Sequence, residues 1–206
     1  MTSPSPRESG TPLRRLETAD ADFVTAQLLV GGDLDTQDLA LAAAQLAELL
    51  DAGVTHVVDT RVEWTDEEWA AQVAPRLGYL HHGMDDAGQQ VPDEWFDAGV
   101  EWVLQAVDAG GTVLTHCHMG INRGPSLGFA VLLAQGWDPI EALDQIRAVR
   151  PIAWIAYAAD ALRWHHGRQG SARDLFDGDL ERLNRWRREN ELDLAEVIRL
   201  KREQGW

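Results

Sequence analysis

Residues 112–135 read TVLTHCHMGINRGPSLGFAVLLAQ, and the change of character along this stretch decides the fold. Thr112 to His116 form a short, largely apolar run of the kind buried inside a parallel sheet. Pro125 to Gln135 are apolar at helical spacing. The segment between them, HCHMGINRGPS (residues 116–126), is therefore a loop that leaves a strand and enters a helix. Its backbone N–H groups and the helix dipole converge on one point, which makes an anion nest whatever the side chains are. Cys117 opens that nest, where positive potential favours the nucleophilic thiolate. Gly120 permits a backbone turn that a Cβ would hinder. Arg123 is spaced to return to the same centre, and its planar fork can hold two oxygens of an oxyanion.

Working outward, strands and helices alternate. Residues 22–30 (DFVTAQLLV) read as a hairpin ending at Gly31-Gly32, and 54–59 (VTHVVD) as a buried strand. Residues 36–51 form a helix with Leu39, Ala43, Leu46, Leu49 and Leu50 on one face, stopped at Gly53. Thr65-x-x-Glu68 reads as a capping box opening a helix that runs to about Arg76. A strand from Tyr79 to His82 leads into the loop GMDDAGQQ, and Pro92 opens a helix closed by Gly110-Gly111. Asp138-Pro139-x-Glu141 caps another helix ending near Arg150-Pro151, with further helices expected around 154–166, 180–190 and 192–203. This order predicts an α/β fold, a central, mostly parallel sheet of four to five strands flanked by helices. Ligands of such sheets bind beyond the carboxyl ends of the strands, where the cysteine loop lies.

The whole chain has 206 residues, enough for one domain with a single substantial core. Residues 1–20 are expected as a disordered leader, 21–168 as the main domain, and 169–206 as accessory helices packed on it. No apolar run approaches the roughly 20 residues of a membrane-spanning helix, and no secretory signal opens the chain. The net charge of −16 disfavours nucleic acid and anionic lipid surfaces as partners. Only Lys201 among the 18 basic residues is lysine. The single cysteine, Cys117, excludes an internal disulfide and suits a reducing, cytoplasmic setting.

His-Cys-x-x-Gly-x-x-Arg, present as HCHMGINR, resembles the signature of the protein tyrosine phosphatase superfamily. The segments FVTAQLLVGGDL, AGVTHVVDTR and GPSLGFAVLLAQG resemble those of dual-specificity phosphatases, so the likeness spans roughly residues 22–166. It implies hydrolysis of phosphotyrosine, with phosphoserine and phosphothreonine as further substrates, through a phospho-cysteine intermediate. No metal and no other cofactor is implied. Cys117 would be the nucleophile, and Arg123 and the loop residues His118, Met119, Gly120, Ile121 and Asn122 would bind phosphate, with His116 in support. The family's general acid stands nine residues before an aromatic that opens the next helix, which selects Asp86, nine before Trp95. Asp85 is the fallback, and Asp93 reads as a helix-start residue.

One position departs from the family. A serine or threonine usually follows the arginine and assists the second step, but here the residue is Gly124. Ser126 lies two residues further along and is not expected to replace it. Gly124 keeps a rival in view, a pseudophosphatase that binds phosphorylated partners without turnover. The GINR segment also resembles RNA 5′-phosphatases of the same superfamily, although no basic channel accompanies it. The absence of lysine from the loop lowers a phosphoinositide reading. The partner is expected to be a phosphorylated protein or a small phosphoester, and the oligomeric state is left open. Arg61 reads equally as a substrate contact or a surface ion pair, and Arg147 and Arg150 as helix-end cations. Neither His81-His82 nor His165-His166 completes a metal ligand set. Trp95, Trp102, Trp154 and Trp164 read as packing residues of helices.

Overall fold

The computed structural model describes residues 15–203. Five strands, β1 (Ala21–Phe23), β2 (Leu28–Gly31), β3 (His56–Asp59), β4 (Gly78–His81) and β5 (Val113–His116), form one sheet in the order β1-β2-β5-β3-β4. The β1–β2 hairpin is antiparallel, and the three other pairings are parallel. Helices α1 (Leu39–Asp51), α2 (Glu67–Val73), α3 (Asp93–Asp108), α4 (Arg123–Ala134), α5 (Pro139–Val149), α6 (Ala158–Gln169), α7 (Arg173–Glu189) and α8 (Leu194–Glu203) complete the described residues. The expected α/β architecture is thus present.

Strand alternation divides the core. Leu28, Val30, Val58 and Val113 face the larger cluster, which includes Phe96 of α3 and Phe129 of α4. Leu29, Val57 and Leu114 face the smaller one, with Leu49 of α1. Helix α4 is buried from Arg123 through Leu133, so it is enclosed around its whole circumference rather than along one stripe. That rigid strand–loop–helix unit at the centre of the molecule is what fixes the cysteine loop. Leu183 and Trp186 of α7 also join the larger cluster.

Several local expectations are corrected. Leu39 and Leu50 are exposed, at 73% and 38%, and the buried face of α1 is instead Ala42, Gln45, Leu46 and Leu49. Gln45 can face inward because its amide is satisfied: Nε2 donates to the Thr18 carbonyl at 3.0 Å and Oε1 accepts from Asp35 N at 2.7 Å. The Thr65/Glu68 capping box does not form; Asp66 is the cap position, and the Thr65 hydroxyl accepts only from Glu67 N. Helix α2 stops at Val73 because Ala74, which precedes Pro75, is driven out of the helical region. The expected leader lies outside the described residues as far as residue 14. Glu17, Thr18 and Ala19 are held by the Glu48 carboxylate, so packed structure begins before residue 21. Among the described residues no helix is long and apolar enough to cross a membrane.

Candidate active site

Strand β5 is central, and its register sets Gly31 of β2 and Asp59 of β3 on either side of His116. The chain leaving β5 is held from both neighbours: Cys117 N donates to the Gly31 carbonyl at 3.3 Å, and Thr60 N and Oγ1 donate to the His116 carbonyl at 3.0 and 2.6 Å. Gly120 then turns the loop at φ +62°, where a Cβ would stand 2.5 Å from the carbonyl carbon of Gly31. Only glycine fits both that conformation and that approach. Helix α4 begins at Arg123, so its amino end points into the loop. A cleft of about 360 Å³ opens above, lined by Cys117, His118, Met119, Ile121, Asn122 and Arg123 together with Asp86. Gly120 shapes the loop without lining the cleft. His116 is buried behind it, its ring nitrogens 3.8 Å from Asp33 and Asp59.

The guanidinium of Arg123 is only 3% exposed and is gripped from behind. Nη1 and Nη2 donate to the two carboxylate oxygens of Glu63 at 2.9 and 2.7 Å, and Nη1 also donates to the Met84 carbonyl at 2.9 Å. Among the described residues Nε makes no hydrogen bond, and Asp86 Oδ2 lies 3.6 Å away. Burial opposes the charge of Arg123, but Glu63, the cysteine sulfur and Asp86 outweigh it and raise its pKa. The hydrogen bonds from Arg123 in turn hold the Glu63 carboxyl down at about 2. Glu63 is a functional candidate that sequence reasoning missed.

Asp86 is held over the cleft by two donors on Oδ1, the Asn122 amide at 2.6 Å and the Tyr157 hydroxyl at 3.1 Å. Asp85 and Asp86 are both exposed, but of the two only Asp86 lines the cleft. Asp93 opens α3 and pairs with Arg163 at 3.2 Å, in keeping with a helix-start role. His118 Nδ1 lies 2.8 Å from Asp33 Oδ2. A carboxylate only accepts, so Nδ1 carries the proton.

Arg61 neither meets the cleft nor lies on the surface. It is fully buried, bonded to Asp59 at 2.8 Å through Nε and Nη2, and paired with Asp33 and Asp66 at 2.8 and 2.7 Å. Arg150, expected as a helix-end cation, is likewise buried; its Nε donates to the Gly120 carbonyl at 2.5 Å and its Nη2 to the Met119 carbonyl at 3.1 Å. Asp22 and Asp20 neutralise it at 2.8 and 2.9 Å. Trp154 is not helical: it precedes α6, its N–H donates to the Ile121 carbonyl at 2.6 Å, and its side chain lines the cleft. A Cβ on Gly124 would sit 2.8 Å from His116 Cα, so α4 is packed too closely against β5 for a hydroxyl-bearing residue there. Ser126 Oγ is buried and donates to Asn122 Oδ1 at 3.3 Å, away from the cysteine. His81 and His82 bind the carbonyls of Arg61 and Trp95, and no metal-holding cluster occurs among the described residues.

No protein-family model matches the chain, and no curated protein matches it in sequence. Solved structures do. PTPMT1 in complex with PI(5)P superposes with a TM-score of 0.61 at 19% identity, over 73% of this chain and 97% of that one. Human DUSP28 gives 0.60 at 21% identity, over 73% and 95%. Tk-PTP in the active form gives 0.58 at 22%, over 72% and 97%. At these identities the likeness speaks for the fold. The chain therefore has the fold of the protein tyrosine phosphatase superfamily, in the form shared by dual-specificity phosphatases.

Proposed function

We propose that the chain is a cysteine-dependent phosphatase that hydrolyses phosphotyrosine, and phosphoserine and phosphothreonine esters, through a phospho-cysteine intermediate. The observation that carries this reading is the unengaged Nε–H of a buried Arg123, in a cleft that also contains Cys117. Buried donors are nearly always satisfied, and a phosphate oxygen would satisfy this one. The Cys117 thiolate attacks phosphorus in line; the S–P bond forms as the P–O ester bond breaks, and Asp86 gives its proton to the leaving oxygen. Asp86, then a carboxylate, takes a proton from water, whose oxygen displaces the sulfur and releases inorganic phosphate. Arg123 and the loop amides hold the equatorial oxygens through both loose transition states. Of residues 169–206, those described, to residue 203, serve as accessory helices of the same domain, and the lone thiol suits a reducing cytoplasm.

A quenched time course with an aryl phosphate tests this. Cys117→Ser should lower turnover by roughly 10³ or more. Turnover that survives this substitution contradicts the mechanism. Gly124 supports a second reading, a phospho-binding module, because the hydroxyl that assists the second step has no room at this position. Retained phosphopeptide binding with no turnover at high protein concentration would decide for the module.

A further inference from the structure

Helix α8 reaches the cleft. Leu194 and Ile198, four residues apart and so on one helical face, line it together with Trp154, Met119 and Ile121. The same face carries Lys201, the only lysine of the chain, 7% exposed and bonded to Asp20 at 2.7 Å. Asp20 bonds Arg150, and Arg150 bonds the Gly120 and Met119 carbonyls of the loop. A chain of ion pairs thus seats α8 against the backbone that forms the nest. Among the described residues, the charged side chains lining the cleft are Asp86 and Arg123, with His118 beside them; Arg150 and Lys201 bond Asp20.

We propose that α8 is the substrate-selecting wall of the site, with Leu194 and Ile198 contacting the apolar body of an ester that carries a single phosphate. This rests on the phosphate-loop reading and goes beyond it by assigning selection to a helix far along the chain from the loop. A phosphate held by the loop amides points its ester oxygen out of the cleft, and the body then passes between Trp154 and the inner edge of α8. A second phosphate on that body would meet leucine, isoleucine and an acidic protein field rather than a cation. At about 360 Å³ the cleft suits a ring or short chain rather than a large headgroup.

Calorimetric titration tests the wall without requiring turnover, using Cys117→Ser protein and three probes: 2-naphthyl phosphate, glycerol 3-phosphate and inorganic phosphate. The naphthyl ester should bind about tenfold more tightly than glycerol 3-phosphate, a difference of about 1.4 kcal/mol. Adding Leu194→Ala and Ile198→Ala should abolish that margin while leaving inorganic phosphate within about twofold. Ile198→Trp, which fills the cleft instead of emptying it, should also weaken the naphthyl ester selectively. Unchanged naphthyl affinity with intact phosphate binding overturns the wall alone. Equal weakening of all three probes makes α8 a mere support and also overturns it. No binding of any probe to the parent protein overturns the loop reading, and the wall with it.

Discussion

Two buried arginines flank the cysteine loop, and the contrast between them separates support from chemistry. Arg150 lies beside the loop with all three guanidinium nitrogens engaged, by the Gly120 and Met119 carbonyls and by Asp20 and Asp22. Arg123 lines the cleft with two nitrogens engaged, mainly by Glu63, and its Nε, 3.6 Å from Asp86, has no hydrogen bond among the described residues. Both are 3% exposed. Burial alone therefore does not distinguish them; the unfilled donor does. An arginine whose hydrogen bonds are complete holds a backbone in place, whereas one with a donor to spare inside a cleft is ready for a ligand.

The contrast is broken most severely by Arg150→Met. It leaves Asp22 and two loop carbonyls without this partner and Asp20 with Lys201 alone, and should cost about 3–5 kcal/mol in urea unfolding. Arg123→Lys should barely move the urea midpoint, because water reaches Glu63. It should lower kcat/KM by about 10²–10³ with an aryl phosphate. If Arg123→Lys proves as destabilising as Arg150→Met, the two arginines are alike and the distinction fails. Glu63→Gln keeps the shape of the brace and removes its charge, and is expected to lower kcat about tenfold with KM little changed. Acid unfolding gives the finest test. Arg123 holds Glu63 at about 2. Burial alone would raise the Asp59 carboxyl, but the hydrogen bonds and charge of Arg61 prevail and hold it at about 2 as well. Both folded values lie below the ordinary ones, so the stability they confer is full above about pH 4.5 and is lost as pH falls toward 2. Glu63→Gln should flatten part of that decline, as read by urea midpoints at stepped pH.

The parts of the molecule legible in the sequence were those specified locally. The strand before Cys117, the turn at Gly120 and the helix after Arg123 lie within one short segment, and each has its own residue signal. Asp86 is singled out by the family resemblance through its distance from Trp95, and its side chain lines the cleft. What escaped reading depends on contacts between distant residues. Glu63 is one acid among 34, and nothing in its neighbours marks it as the brace of a residue 60 positions away. Arg150 carried a sufficient local explanation at the end of a helix, so its bond to Gly120 could not be anticipated. Leu39 and Leu50 misled because hydrophobic spacing assumes that polar side chains face water, while Gln45 buries a satisfied amide. Gly124 departs from the family pattern, and the close approach of α4 to His116 that accompanies it is a contact between elements that the local sequence does not encode.

The solitary thiol has a consequence for oxidative chemistry. With one thiol in the chain, a thiol-directed alkylating reagent reports this loop and nothing else, so its stoichiometry counts competent sites directly. Peroxide that converts the sulfur to a sulfenic acid meets no second thiol of this chain to trap it. Recovery then depends on a neighbouring backbone nitrogen or on a reductant from solution, and further oxidation to the sulfinic acid is the competing fate.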